Sequence, residues 1–222
     1  MPDSSQAYGR YVDLEEPAAE MSQVVRMSVD PAALSESDAD LWHRLREADD
    51  AAFRELFLRH STAVYNFCFR RTASWSVAED ATQATFATLW RRAKAHDIEP
   101  LKLESARPVL LAMARNECSN VNRAAGRHLH LVDRVRGQTR AADDNTATWI
   151  EAESTMAVIR RALDTLPQNQ RDVVELVAWS ELSLADVAAA LKLSVGTVKS
   201  RLSRARARLA RSEIAGLLGD AR

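Results

Sequence analysis

Apolar positions along most of this chain recur every three or four residues, the spacing of one helix face. From Asp38 to Glu99 there is neither Gly nor Pro, and no alternation of the kind a strand requires. Phe53, Leu56, Phe57, His60, Val64, Phe67 and Cys68 form one stripe and predict a long helix. A turn follows near Ser74-Trp75. Ser76-Val77-Ala78-Glu79 then makes a capping-box pattern, opening a helix that runs to about Ala95. Pro108 suits the first turn of a further helix, Val109 to about Ala125, with Leu110, Leu111, Ala114, Cys118 and Val121 as its apolar residues. The period returns at Glu151. Met156, Ile159, Ala162, Leu163 and Leu166 make a stripe that Pro167 ends, and Gln168 to Trp179 carries Val173, Val174, Leu176 and Val177.

Two short helices close the pattern. Ser183 caps the first, with Asp186 three residues on, and Leu184, Val187, Ala188 and Leu191 form its apolar side. Lys192-Leu193-Ser194 breaks the period, and Ser194 is an N-cap for the second. There Val195, Val198, Leu202, Ala205 and Leu209 share a stripe, while Gly196, Lys199, Ser200, Ser203 and Arg204 lie on another face. Six basic residues and no acid occur between Val195 and Arg211. An apolar stripe that docks, a small-residue entry and a basic outer face suit a helix in a DNA major groove, the second half of a helix-turn-helix.

The fold class is therefore all-α. The predicted organisation is an acidic, Pro-interrupted extension (1–37), a helical domain (38–125), a linker (126–150) and a second helical domain (151–222). A flexible strap between two modules fits DNA reading at two places. Elements two helical turns apart are separated by roughly 70 Å, and a linker of this length reaches at most about 80 Å.

Composition narrows the chemistry. The chain is 46% apolar and 27% charged with a net charge of −1, ordinary for a soluble protein, but its first forty residues hold nine acids against two bases and leave the remainder basic. No segment reads as a signal peptide, and the longest apolar run, Val109 to Ala114, is far too short for a bilayer. Cys68 and Cys118 stand apart with no CxxC and no His partners, so they read as small buried hydrophobes in a reducing cytoplasm. His60 reads as a packed core-edge histidine. There is no HExxH, Glu-x-x-His pair, phosphate-binding glycine loop or nucleophile–base set, which argues against an enzyme, a metal and a cofactor.

Val195-Gly-Thr-Val-Lys-Ser-Arg-Leu202 closely resembles the recognition helix of extracytoplasmic-function sigma factors, the small bacterial transcription initiation factors, and so does Leu166-Pro167 followed by Gln170-Arg171. Ala78-Glu79-Asp80, Gln83, Phe86 and Leu89-Trp90 are similar to the polymerase-binding helix of sigma domain two in that family. Leu110-Leu111-Ala112-Met113-Ala114-Arg115-Asn116 through Asn120 is similar to its minus-10 helix. Two departures stand out: Ala81, Thr82 and Ala84 replace commoner residues, and Lys192 occupies a turn position where the family often has Gly.

The resemblance implies sigma domains two and four, with core RNA polymerase and promoter DNA as partners and an anti-sigma factor, membrane-linked or soluble, as regulator. It implies polymerase contact through Asp80, Gln83 and Phe86, though Phe86, Leu89 and Trp90 also suit a core. It assigns the segment from Ala95 to Arg107 to capture of an unpaired minus-10 base, and Arg115, Asn116, Asn120 and Arg123 to contacts with that element. Lys199, Ser200, Ser203 and Arg204, flanked by Arg201, match the minus-35 face, with Arg206, Arg208 and Arg211 on phosphates. The competing reading is a stand-alone helix-turn-helix regulator, against which the Gly-free helical block stands.

Overall fold

The computed structural model describes residues 36–129, 146–180 and 182–211, and among them every regular element is helical. The acidic extension and most of the linker lie outside the described residues. The helices are α1 (Asp38–Arg46), α2 (Asp50–Thr72), α3 (Trp75–Lys94), α4 (Arg107–Leu129), α5 (Thr146–Asp164), α6 (Gln168–Trp179), α7 (Leu184–Ala190) and α8 (Val195–Leu209).

Local chemistry accounts for most of these boundaries. The Ser37 side chain accepts from the Asp40 amide to cap α1, and Asp49 accepts from Ala51 and Ala52 to cap α2. Turns that would ordinarily call for glycine are built without it: Ala48, Ala73 and His96 adopt positive φ of 59°, 53° and 52°. The expected capping box at Ser76 is not used. α3 begins two residues earlier, at Trp75, its N-cap Ser74 makes no side-chain cap bond, and Glu153 of α5 accepts from the Trp75 amide at 2.9 Å instead. A carboxylate imported from a distant helix satisfies the helix N-terminus.

Helices α1–α4 surround a core that includes Leu41, Leu45, Leu56, Val64, Phe67, Leu89, Leu110 and Leu111, all nearly inaccessible to solvent. Within it Thr82 and Thr85 return their hydroxyls to the Ala78 and Ala81 carbonyls, so these two buried hydroxyls are satisfied inside their own helix. Cys68 and Cys118, distant in sequence, are both buried free thiols and hydrogen-bond each other. That bond, with burial, pushes the Cys68 thiol well above its ordinary range. His60 is buried and pairs with Asp38 at 2.9 Å.

In the second group, Leu163, Leu166, Val173, Leu176, Val187, Val198, Leu202 and Ala205 are buried. The Leu166-Pro167…Gln170-Arg171 signature has a mechanical reason. Pro167 ends α5, and Arg171 turns back onto the Asp164 carboxylate (2.6 Å) and the Asp164 and Leu166 carbonyls (3.0 and 3.1 Å), covering the orphaned C-terminal acceptors.

The two groups are docked, contrary to the picture of modules hanging on a strap. The span assigned to a linker is itself helical at both ends, since α4 runs to Leu129 and α5 starts at Thr146. Trp75 contacts Trp149 (ring centroids 5.9 Å), Phe67 meets Trp179 edge-on, Arg70 donates to the Trp179 carbonyl, and Arg160 donates to the Thr72 carbonyl. Aromatic area and cross-group hydrogen bonds favour docking over separation.

Lys192 forms the turn between α7 and α8 with φ of 54°, so the departure from glycine leaves the turn intact but strained. Its side chain pairs with Glu99 at 3.2 Å but is 80% exposed, so that pair is worth little. Lys192→Gly is therefore expected to raise stability by about 0.5 kcal/mol, the relief of the left-handed strain less the extra freedom of glycine in the unfolded chain. A denaturant melt of the two proteins checks this; a lower midpoint for Lys192→Gly would count against strain at the turn.

Candidate nucleic-acid interface

Helix α8 is positioned from both ends. Ser183 and Asp186 form the predicted capping box on α7, and the Ser194 hydroxyl accepts from the Thr197 amide at 3.1 Å to start α8. Val198, Leu202 and Ala205 are buried against the group's core. The residues between them must then face outward: Lys199, Ser203, Arg204, Arg206, Arg208 and Arg211 are exposed, Ser200 and Arg201 half-buried. Ser200 spends its hydroxyl on the Thr197 carbonyl at 3.0 Å. Among the described residues, Lys199, Arg201, Arg204, Arg206 and Arg208 enter no ion pair. Gly196 lies open, where a Cβ would meet only Ser194 Oγ at 3.8 Å, so the small-residue entry leaves room for an approaching backbone.

The cations of α4 are arranged differently. Arg115 is half-buried and donates to Asp172 of α6 at 3.2 Å and to the Asn116 side chain at 2.8 Å. Asp172 also accepts from Arg71 of α2 (3.3 Å) and Gln168 (2.7 Å), and Arg71 pairs with Glu175. Arg71 and Glu175 are both almost fully buried. Burial pulls the Arg71 guanidinium below its ordinary value, and Asp172 opposes that pull. A cavity of about 470 Å³ bounded by Arg115, Asn116, Ser119, Gln168 and Asp172 marks where the groups meet. Asn116 and Asn120 are exposed, and Asn120 donates to Glu117 at 3.2 Å. The Arg123 side chain lies outside the described residues.

The segment between α3 and α4 is held at both ends. Ile98 and Ala106 are buried, while Lys102 and Glu104 are exposed and Leu101 and Leu103 half-buried. It borders a cavity of about 460 Å³ lined by Trp42, Leu89, Leu101, Leu103 and Met113 together with Ala189 of α7.

On α3, Asp80 and Gln83 are exposed, and Gln83 donates to Glu79 at 3.3 Å. Phe86 does not join them. It is 3% exposed, packed edge-on against Phe57 (4.8 Å) and Phe53 (6.4 Å), because it falls on the core side of the helix with Thr82 and Leu89. The polymerase contact assigned to Phe86 is corrected to a core role. Sequence reasoning also missed Arg71, Asp172 and Glu175. Glu175 was the detectable one, a carboxylate set among Val173, Val174, Leu176 and Val177.

Among the described residues no helix is long and apolar enough to cross a membrane, and no group of three or more His, Cys, Asp or Glu could hold a metal ion.

Two family models match: Sigma-70 region 2 over residues 56–128 and Sigma-70 region 4 over residues 156–209, more than half of the chain together. The ECF RNA polymerase sigma factor RpoE of Cereibacter sphaeroides is 32% identical over 178 residues, covering 78% of this chain and 95% of that protein. The ECF RNA polymerase sigma factor SigM of Mycobacterium tuberculosis is 32% identical over 177 residues, covering 79% and 84%. A solved structure of CnrH in complex with the cytosolic domain of CnrY shares the fold, with a TM-score of 0.57 at 24% identity, covering 79% of this chain and 96% of that one. With the helix-turn-helix, the basic face of α8 and both family regions in order, the chain belongs to the extracytoplasmic-function sigma factors of the sigma-70 family.

Proposed function

We propose that this chain is an alternative sigma factor that binds core RNA polymerase in the cytoplasm and directs it to a two-part promoter. Residues 38–125 serve as sigma domain two, with Asp80 and Gln83 on the polymerase-facing side of α3. Residues 151–222 serve as sigma domain four, with Lys199, Ser200, Ser203 and Arg204 facing the minus-35 element and Arg206, Arg208 and Arg211 on phosphates. Arg115, Asn116, Asn120 and Arg123 face the minus-10 element. The role is binding, not catalysis, and an anti-sigma factor is its expected regulator.

The observation that carries this reading is the contrast between the two basic faces. On α8 Lys199, Arg204, Arg206 and Arg208 are exposed and outside ion pairs, whereas on α4 Arg115 is held by Asp172. Asp172 engages the Arg115 guanidinium that a phosphate would otherwise take, while Asn116 and Asn120 and the basic side of α8 stay exposed. Promoter engagement at both elements then requires the groups to separate, a cost that polymerase binding offsets.

The purified chain is expected to co-elute with core polymerase, to direct transcription from a promoter, and to bind that promoter specifically only within holoenzyme. A gel-shift titration with and without core enzyme tests this. Equal specific affinity in both would favour the stand-alone regulator.

A further inference from the structure

The segment from Ala95 to Ala106 makes no regular structure, yet four side chains from two helices, α1 and α3, hold its backbone. Trp42 of α1, 3% exposed, donates its indole N–H to the Glu99 carbonyl at 3.0 Å. Arg46, one turn on, donates to the Ile98 carbonyl at 3.0 Å. Arg92 at the end of α3 donates to the Asp97 carbonyl at 3.0 Å. At the far end a single carboxylate oxygen, Asp38 Oδ2, accepts from Ser105 Oγ and the Ala106 amide, both at 2.8 Å, and faces His60 Nε2 at 2.9 Å.

Each of these bonds is directed at a main-chain group or loop residue that a free loop would leave to water. Burial of Asp38 raises its pKa, but the His60 bond and charge, the Ala106 amide and the Ser105 hydroxyl outweigh it and hold the carboxyl well below the usual range. The ionised acid is thus the form the clamp uses. Between the two anchor points Pro100, Lys102 and Glu104 are exposed while Leu101 and Leu103 are half-buried, forming a short apex beside the cavity under Trp42.

We propose that α1 is a positioning element for base capture: Asp38, Trp42 and Arg46 fix the two ends of the 95–106 segment so that its apex meets the unpaired minus-10 base already shaped. These residues touch no DNA. They act by removing the ordering cost that a loose loop would meet on binding, which sharpens discrimination at one base and leaves other contacts unchanged. The inference rests on the assignment of this segment to minus-10 capture.

The test uses holoenzyme reconstituted from core polymerase and the full chain. Promoter DNA carries 2-aminopurine at the minus-10 position, alongside a panel of base changes at both elements. Arg46→Met removes one anchor from a half-exposed site, and Arg46→Lys keeps a donor; Asp38→Asn removes the other anchor's charge. Arg46→Met and Asp38→Asn are expected to cut discrimination at a single minus-10 position by about five- to tenfold, the effect of losing one to two directed hydrogen bonds. Minus-35 discrimination and core affinity should stay within about twofold of the parent, with Arg46→Lys partly restoring the parent value. Unchanged minus-10 discrimination in Arg46→Met, or an equal loss at every promoter position, overturns the clamp. Lys102→Ala and Glu104→Ala at the apex separate the two ideas. If they relax minus-10 discrimination while the α1 variants do not, the clamp alone fails. If neither set changes it, the assignment of the segment to base capture fails and takes the clamp with it.

Discussion

Glu175→Leu is expected to separate the two helix groups while leaving each of them folded. Arg71 and Glu175 face each other with side chains only 6% and 4% exposed, one on α2 and the other on α6. Removing one partner of a buried pair typically costs about 3–5 kcal/mol, because the remaining charge has lost its compensation in a poor solvent. Asp172 still faces Arg71 at 3.3 Å, which places the expected cost at the lower end, roughly 3 kcal/mol. That penalty need not unfold anything. The pair bridges two groups, so undocking returns Arg71 to water and relieves it.

The expected result is a larger radius of gyration by small-angle scattering with helical circular dichroism unchanged. The free chain should also bind minus-10 DNA more tightly, since Arg115 and Asn116 are no longer set against α6. A second variant guards the interpretation. Arg71→Met combined with Glu175→Leu replaces the pair by apolar side chains of similar reach and should restore docking. If Glu175→Leu leaves the radius of gyration unchanged, or if the double variant is as expanded as the single, the ion pair does not govern docking.

Arg204→Ala should cost roughly 1–3 kcal/mol at the preferred minus-35 element and relax discrimination at one or two base pairs. Arg208→Ala should instead weaken binding about equally across sequences and flatten the salt dependence by about one unit. Both side chains are exposed on α8 and outside ion pairs, so neither substitution disturbs an internal partner and the difference between them reports DNA contact alone. Holoenzyme binding to a panel of minus-35 variants at several salt concentrations reads both quantities. An identical, uniform loss from the two would make Arg204 a phosphate contact and move base reading to Lys199, Ser200 and Ser203.

Much of the architecture was legible before any contact was known. Helix existence and most spans followed from apolar spacing, and the terminal helix-turn-helix from its caps. Ser183 with Asp186, Ser194 and Pro167 act on neighbours within four residues, so their effect is local and readable. The outward, basic side of α8 followed as well, since one buried stripe at helical spacing dictates what must face away from it.

What the fold alone decided depends on residues far apart in the chain. Ala48, Ala73 and Lys192 take left-handed turns that glycine would have signalled, because the packed helices on either side over-determine the connection. Glu153 caps α3 in place of the nearer Ser76 because docking delivers a carboxylate to that amide. Phe86 turned inward although its motif resembles a polymerase-binding helix, since a 20-residue helix must still bury one face. The pairing of Arg71 and Arg115 with Asp172, and the hold of α1 on the 95–106 segment, link positions dozens of residues apart. Periodicity says which face of a helix is polar, but only tertiary packing says whether a charge on that face meets water or another charge.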